Sequence, residues 1–172
     1  MKILVVNGSP RKQGNTAAMA AAFIAGAKAA GHTVERIDVG DLKISGCLGC
    51  NYCRGKGNGS CIQDDDHRTV YEAMRNADML VIASPIYYFM LSAQTEAVIQ
   101  RMHASGIPAN IKKTALLLSS GSDGVYDAAI LQYHMIFRDY LRLEDMGIVT
   151  AHGSENRSQV KEEELKAFGR NI

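Results

Sequence analysis

Short apolar runs alternate along the chain with longer segments whose apolar residues recur three and four positions apart. The first pattern is typical of buried strands and the second of helices. The strands are predicted, in chain order, at 1–7, 33–39, 78–84, 113–119 and 147–151. The helices are predicted at 17–30, 64–77, about 91–103, 125–143 and 158–169.

The order of these elements predicts the fold class. Strands and helices alternate five times, which implies a parallel sheet with right-handed crossovers and helices on both faces. The continuously apolar strands at 78–84 and 113–119 fit that arrangement, because such strands are covered on both sides. We therefore predict one α/β domain over residues 1–172, a three-layer sandwich with a five-stranded parallel sheet and a cysteine-containing loop at about 43–63.

The turn between the first strand and the first helix predicts a phosphate site. Nine of the fourteen residues at 17–30 are alanine, which favours a helix that lies close to the sheet. The start of such a helix presents free backbone N–H groups and partial positive charge, which suit a phosphate. The spacing of Gly8 and Gly14 fits neither the dinucleotide nor the triphosphate loop, and Asn15 stands where the latter needs lysine. A monophosphate is therefore the expected guest.

Side chains in this turn support the same interpretation. Ser9, Asn15 and Thr16 offer hydrogen-bond donors or helix caps, and Arg11 can pair with a phosphate. Gly14 is expected to permit a backbone conformation that a Cβ would oppose. The alternative is an ordinary strand–helix turn with an Asn/Thr cap and no ligand.

Two further loops follow predicted strands. Pro85–Phe89 holds three aromatic residues, which indicates a flat hydrophobic partner, a cap on the core or an oligomer interface. Ser119–Asp123 supplies small residues and donors, which is also ordinary turn chemistry. Because ligands bind beyond the carboxyl ends of parallel strands, we expect these loops and the phosphate turn to converge on one site.

The motif G-S-P-R-x-x-G-N-T after an N-terminal strand resembles the NAD(P)H-dependent FMN reductase family of flavodoxin-like proteins, including its iron–sulfur flavoprotein branch. The resemblance covers nearly the whole chain. It implies a flavodoxin-like sheet of strand order 2-1-3-4-5. It also implies that Pro85 and Tyr87 border the isoalloxazine ring of FMN, while the loop at 119–123 lies along the pyrimidine edge.

The function implied by this resemblance is an FMN-dependent oxidoreductase that takes hydride from NAD(P)H and passes electrons to a small acceptor such as a quinone or flavin. The cofactor carries the chemistry, so no catalytic side chain is predicted. The residues expected to bind FMN are Ser9, Arg11, Gly14, Asn15, Thr16, Pro85, Ile86, Tyr87, Tyr88, Phe89, Ser119, Ser120, Gly121 and Asp123.

Four cysteines are crowded within fifteen positions, at Cys47, Cys50, Cys53 and Cys61. Soft thiolates at such spacing are suited to a metal or a cluster, although the last gap is longer than in ferredoxins and no proline follows Cys61. The resemblance implies a possible 4Fe-4S cluster that takes electrons from FMN. Zinc, or free thiols that order a loop or an interface, are the alternatives. The acidic run 64–66 is expected to match the charge of a helix N-terminus rather than bind metal.

If the cysteines hold a cluster, the alternative function is an electron carrier that serves a protein partner. The net charge of +1 gives no indication of a nucleic-acid or membrane surface. No apolar run approaches the roughly 20 residues of a membrane span, so a cytoplasmic location is expected, where disulfides are rare. The family resemblance also implies a homodimer or homotetramer.

Overall fold

The computed structural model describes residues 1–172 and shows one sheet between two layers of helices. The strands are β1 Lys2–Asn7, β2 Thr33–Asp38, β3 Met79–Tyr87, β4 Met90–Leu91, β5 Lys113–Ser120 and β6 Glu144–His152. The helices are α1 Asn15–Ala29, α2 His67–Arg75, α3 Ala93–Ser105, α4 Asp127–Tyr133 and α5 Gln159–Arg170. None of them combines the length and the hydropathy that crossing a membrane requires.

The sheet has the strand order β2-β1-β3-β5-β6, and all of these strands are parallel. Leaving out the two-residue β4, this is the predicted order 2-1-3-4-5, so the flavodoxin-like fold is confirmed. The sixth strand was not predicted. It pairs antiparallel with the end of β3, where Ile86 lies opposite Leu91.

This hairpin corrects two element boundaries. β3 continues three residues beyond the predicted strand, through Pro85 to Tyr87, because β4 supplies a partner for the extension. Leu91 belongs to β4 and not to the following helix. That helix begins after Ser92, whose hydroxyl accepts a hydrogen bond from the backbone N–H of Thr95 and caps it.

Alternate residues of the central strands point into two separate cores. On one face, Leu4, Leu80 and Leu116 pack against helices α2, α3 and α4. On the other face, Val5 and Val81 pack against helices α1 and α5. Each central strand therefore buries both of its faces, which explains why its sequence is apolar without alternation.

Three further elements have boundaries that differ from the prediction by more than two residues. α2 is shorter at both ends than 64–77. The helix predicted at 125–143 starts at Asp127 and changes to wider π-helical turns over His134–Tyr140. β6 starts three residues earlier than predicted. Its pairing with β5 is irregular near Gly147, whose φ of 127° favours glycine. The glycine interrupts the apolar run, so the sequence pattern does not reveal where the strand starts.

Helices α1 and α5 touch through two glycines. A Cβ on Gly26 would come within 2.0 Å of the carbonyl oxygen of Lys166, and a Cβ on Gly169 within 2.2 Å of the carbonyl oxygen of Phe23. Both obstacles are backbone atoms, which cannot swing away. The two glycines therefore set how closely the C-terminal helix lies on α1.

Replacing Gly26 by alanine tests this contact, because helix propensity and overpacking predict changes of opposite sign in the free energy of unfolding. Helix propensity alone would stabilise the variant by about 1 kcal/mol, whereas overpacking costs about 1–3 kcal/mol. We expect Gly26→Ala to lower the free energy of unfolding, measured by urea denaturation. Ala21→Gly, at an exposed position of the same helix, is the control, because it measures the helix-propensity contribution without the close contact. An equal or higher stability of Gly26→Ala would contradict the packing argument.

Candidate functional site

A cavity of about 190 Å³ lies at the carboxyl ends of β1, β3 and β5. The loop after β1, the end of β3 and the turn after β5 all contribute to its walls. The predicted residues that line it are Ser9, Arg11, Gly14, Asn15, Thr16, Pro85, Ile86, Tyr87, Ser119, Ser120 and Gly121. Tyr88, Phe89 and Asp123 lie on the same loops but not in the cavity wall. The three loops therefore meet at one place.

The first wall is the start of helix α1. The N-cap is Gly14, and no side chain caps the helix, so the Asn/Thr cap of the alternative interpretation is not present. The backbone N–H groups of Asn15, Thr16 and Ala17 have no hydrogen-bond acceptor in the chain. Uncapped N–H groups at a helix start attract an anion, so this wall fits the phosphate of a mononucleotide.

Gly14 was expected to adopt a backbone conformation that a Cβ would oppose, and the structure shows a different reason for the glycine. Its φ of −71° and ψ of 175° are open to any residue. The constraint is space, because a Cβ there would lie 3.0 Å from the Cβ of Arg11 and 3.2 Å from the hydroxyl of Ser9. Ser9 also fixes the loop, since its hydroxyl accepts a hydrogen bond from the backbone N–H of Arg11 at 3.1 Å.

Buried hydroxyl groups join the first wall to the turn after β5. The side-chain oxygens of Thr16 and Ser119 lie 2.6 Å apart, and both residues are buried. Next to them, the hydroxyls of Ser120 and Tyr126 are also 2.6 Å apart, and Tyr126 donates to the carbonyl of Ala151. Burial raises the pKa of Tyr126, although the hydrogen bond with Ser120 opposes that rise. The phenol therefore stays protonated and keeps its role as a donor.

The turn after β6 forms a fourth wall, which the sequence analysis missed. Gly153 and Asn156 line the cavity, and the side-chain amide of Asn156 donates to the carbonyl of Ser120 at 2.8 Å. The amide oxygen of Asn156 is buried and has no partner in the chain. The rule that ligands sit beyond strand carboxyl ends, applied to the fifth predicted strand, would have indicated this turn.

Arg157 in the same turn braces the phosphate loop. Its guanidinium donates to the side-chain oxygen of Asn15 at 3.1 Å and to the backbone carbonyl of Gln13. The positive charge thus lies beside the uncapped start of α1. Two arginines, Arg11 and Arg157, therefore flank the region that fits a phosphate.

The aromatic loop has an unusual tip. Tyr88 and Phe89 connect β3 to β4 with φ angles of 49° and 68°, which bulky residues rarely adopt. Tyr88 is 97% exposed, and Phe89 and Met90 are also exposed. Of the aromatic residues in this loop, Tyr87 alone lines the cavity, where it can border a flat ring.

The four cysteines line a second, smaller hollow against helix α3. None of them forms a disulfide, and the sulfur of Cys47 accepts the backbone N–H of Gly49 at 3.4 Å. No three His, Cys, Asp or Glu side chains are arranged to hold a metal ion. The hollow holds about 20 Å³, near the space of one water. The thiol donors fit a soft metal or cluster, but the loop must rearrange to enclose one.

The acidic run before α2 pairs with the helix start as expected, through Asp65, and also has a second role. Asp66 is the N-cap of α2 but its carboxylate makes no cap hydrogen bond and accepts the backbone N–H of Lys43. Asp65 accepts the N–H of His67 at the start of α2, and its other oxygen pairs with Arg101 at 2.5 Å. Two of these carboxylates thus hold the segment that leads into the cysteine loop.

Hydrogen bonds favour the charged forms of both partners in this pair. Burial alone would raise the pKa of Asp65, but hydrogen bonds from Arg101, Ser45 and His67 hold it below its ordinary value. Burial likewise opposes the charge of Arg101, whereas Asp65 and then Cys61 raise its pKa. Arg101 is 2% exposed and lies beside Cys61, so a fully charged guanidinium sits at the base of the cysteine loop.

Known proteins similar to this chain point to one family. The family described as NADPH-dependent FMN reductase matches residues 1–157. An iron-sulfur flavoprotein of Archaeoglobus fulgidus is 36% identical over 102 residues, which cover 59% of this chain and 46% of that protein. An iron-sulfur flavoprotein of Methanocaldococcus jannaschii is 28% identical over 140 residues, 80% of this chain and 72% of that protein. The chain spans about half the length of several such relatives.

Solved structures share the fold over the whole chain. An NAD(P)H:quinone oxidoreductase from Methanothermobacter marburgensis has a TM-score of 0.72 at 19% identity, covering 99% of this chain and 93% of that one. An FMN-dependent NADH-azoreductase from Bacillus anthracis, solved with FMN, has a TM-score of 0.68 at 17% identity, covering 99% and 98%. At these identities the likeness concerns the fold.

Proposed function

This chain belongs to the NADPH-dependent FMN reductase family, and we propose that residues 1–172 form a single FMN-binding domain that oxidises NAD(P)H. The proposal rests on the cavity at the carboxyl ends of β1, β3 and β5. It combines an uncapped helix start, a row of buried hydroxyls and an aromatic wall. These are the chemical groups that a phosphate, a ribityl chain and an isoalloxazine ring require.

The phosphate would lie at the start of α1. There the N–H groups of Asn15 and Thr16 are free, and Ser9 lies within the same loop. Arg11 is exposed and can close over the anion, while Arg157 holds Asn15 in place. Both arginines then balance the charge of the phosphate.

The ring would lie between Tyr87 and the turn at Ser119–Gly121. Bound FMN supplies hydride acceptance from NAD(P)H and delivery of two electrons to an acceptor. The chain's contribution is to orient the ring with Pro85, Ile86 and Tyr87, and to shield its buried edge from water. No side chain is assigned an acid or base role. The acceptor would be a small molecule such as a quinone or a flavin.

A second candidate function follows from the cysteines. Cys47, Cys50, Cys53 and Cys61 line one hollow as free thiols, and several relatives are named iron-sulfur flavoproteins. The four thiolates would hold a 4Fe-4S cluster, which supplies one-electron transfer. In that case the chain would carry electrons to a protein partner. This alternative shares the FMN site and differs in the acceptor.

We further propose that the chain forms a homo-oligomer, a homodimer or homotetramer. Exposed apolar side chains gather where β4 lies beside α4. They are Tyr88, Phe89, Met90, Leu131 and Met135. An exposed apolar patch on neighbouring elements favours an interaction surface.

The phosphate site is tested by changing one arginine at a time. We expect Arg11→Ala and Arg157→Ala to weaken FMN binding by about tenfold or more, since hydrogen bonds to charged groups contribute about 1.5–3 kcal/mol. Quenching of flavin fluorescence on titration with apoprotein measures the affinity. Lys12→Ala is the matched control, because it removes the same charge from the same loop at an exposed residue paired with Asp41. Equal affinities for all three variants would refute the assignment.

The two functions are separated by one anaerobic preparation. We expect flavin absorption in the purified protein and rapid NAD(P)H oxidation with a quinone or free flavin as acceptor. About four irons and four acid-labile sulfides per chain, with slow NAD(P)H oxidation, would instead favour the electron carrier. A protein that neither retains nor rebinds FMN would exclude both.

The oligomer is tested by light scattering after gel filtration. We expect the native chain to elute as a dimer or tetramer, and the double variant Leu131→Asp, Met135→Asp to elute as a smaller species, because buried unpaired charges oppose association. Val160→Asp on α5 is the control, since Val160 is an exposed apolar residue away from the patch. A native monomer would overturn this proposal.

A further inference from the structure

The cysteine loop leaves the body of the protein through a narrow neck, which we define as residues 43–46 and 63–66. The backbone N–H of Lys43 donates to the carboxylate of Asp66 at 2.7 Å, and the N–H of Asp66 donates back to the carbonyl of Lys43 at 3.2 Å. The side-chain amide of Gln63 donates to the carbonyl of Gly46 at 3.1 Å. The two segments of the neck are thus joined mainly through side chains.

Arg101 on helix α3 lies at the centre of this neck. One guanidinium nitrogen donates to the carboxylate of Asp65 at 2.5 Å and to the carbonyl of Ser45 at 3.1 Å. The other terminal nitrogen donates to the carbonyl of Gln63 at 3.4 Å. Asp65 in turn accepts the N–H of Ser45 at 3.2 Å. The ion pair therefore binds both ends of the loop and anchors them to α3.

The loop itself is held differently. Every backbone hydrogen bond of residues 47–61 is to another residue of the loop, as in the bond from Gly59 to the carbonyl of Cys53. Gly49 and Asn51, on either side of Cys50, have left-handed φ angles of 63° and 56°. The loop is thus free to rearrange around a guest, whereas its neck is fixed by a buried ion pair.

We infer that Arg101, paired with Asp65, is the positioning residue of the cysteine site. It fixes the ends of the loop so that all four thiols can reach one bound metal or cluster. The thiols rearrange on binding, while the neck stays in place. This inference rests on the proposed ability of the cysteines to bind a soft metal or cluster. Arginine suits the task because its planar fork reaches a carboxylate and two carbonyls at once, which the single ammonium of lysine cannot do.

The test uses the full chain, reduced and metal-free, with Co²⁺ alone as the probe. Thiolate ligation gives Co²⁺ charge-transfer absorption, so its affinity reports the convergence of the thiols. We expect Arg101→Lys to weaken Co²⁺ binding by about tenfold, since one ammonium nitrogen cannot reproduce the fork that joins Asp65, Ser45 and Gln63. FMN affinity, measured in the same sample, should stay unchanged because the flavin cavity contains no residue of the neck.

The matched control is Arg68→Lys. Arg68 pairs with Asp64 at 2.7 Å in the same acidic run, but both side chains are exposed and neither lines the cysteine hollow. We expect this variant to bind Co²⁺ like the native chain. The inference is overturned if Arg101→Lys also does so, or if that variant loses FMN affinity to the same extent. It is equally overturned if the native chain shows no thiolate–Co²⁺ absorption, while FMN binding would then still support the reductase.

A measurement on the native chain covers the case in which Arg101→Lys does not fold. We expect hydrogen exchange to be slow at the N–H groups of Lys43 and Ser45, with and without Co²⁺, because carboxylates hold them. The loop N–H groups should exchange fast without metal and slowly with it. Fast exchange of the Ser45 N–H in the metal-free chain would contradict a preformed neck.

Discussion

The middle strands of the sheet are apolar on both faces, and the rest of the structure follows from covering them. Val5 and Val81 need one layer of helices while Leu4 and Leu80 need another, so each crossover must pass over the sheet and return in parallel. All connections from strand to helix then end at the same edge. The cavity is the place where those connections meet. Burial of aliphatic side chains thus decides where the polar chemistry of the chain is collected.

Periodicity and strand-end rules were sufficient for the fold and for three of the four cavity walls. They work because each depends on residues adjacent in sequence, such as the uncapped turn at Gly14–Thr16. The family resemblance added FMN as the expected ligand, which no local sequence pattern specifies. The turn at 153–157 was missed because Gly153 and Asn156 show only ordinary turn chemistry, although the end of the fifth predicted strand lies directly before them.

Other features could not be predicted because they depend on residues far apart in the chain. Arg101 follows Asp65 by 36 positions and lies on a helix whose pattern indicates a buried face. No local sequence pattern indicates that a buried arginine on this helix will pair with a carboxylate. The hairpin at Tyr88–Phe89 was hidden for another reason, since its turn uses two aromatic residues in place of the usual asparagine and glycine. Both are long-range or strained arrangements that the surrounding packing imposes.

The contact of Arg157 with the phosphate loop has a thermodynamic consequence. Arg157 lies one residue before the N-cap of α5, and it bonds to Asn15 at the opposite end of the chain. A ligand that binds more tightly while Arg157 holds Asn15 also favours the docked position of the C-terminal helix, and the docked helix favours that ligand to the same degree. Cofactor occupancy and closure of the chain ends are therefore two aspects of a single equilibrium.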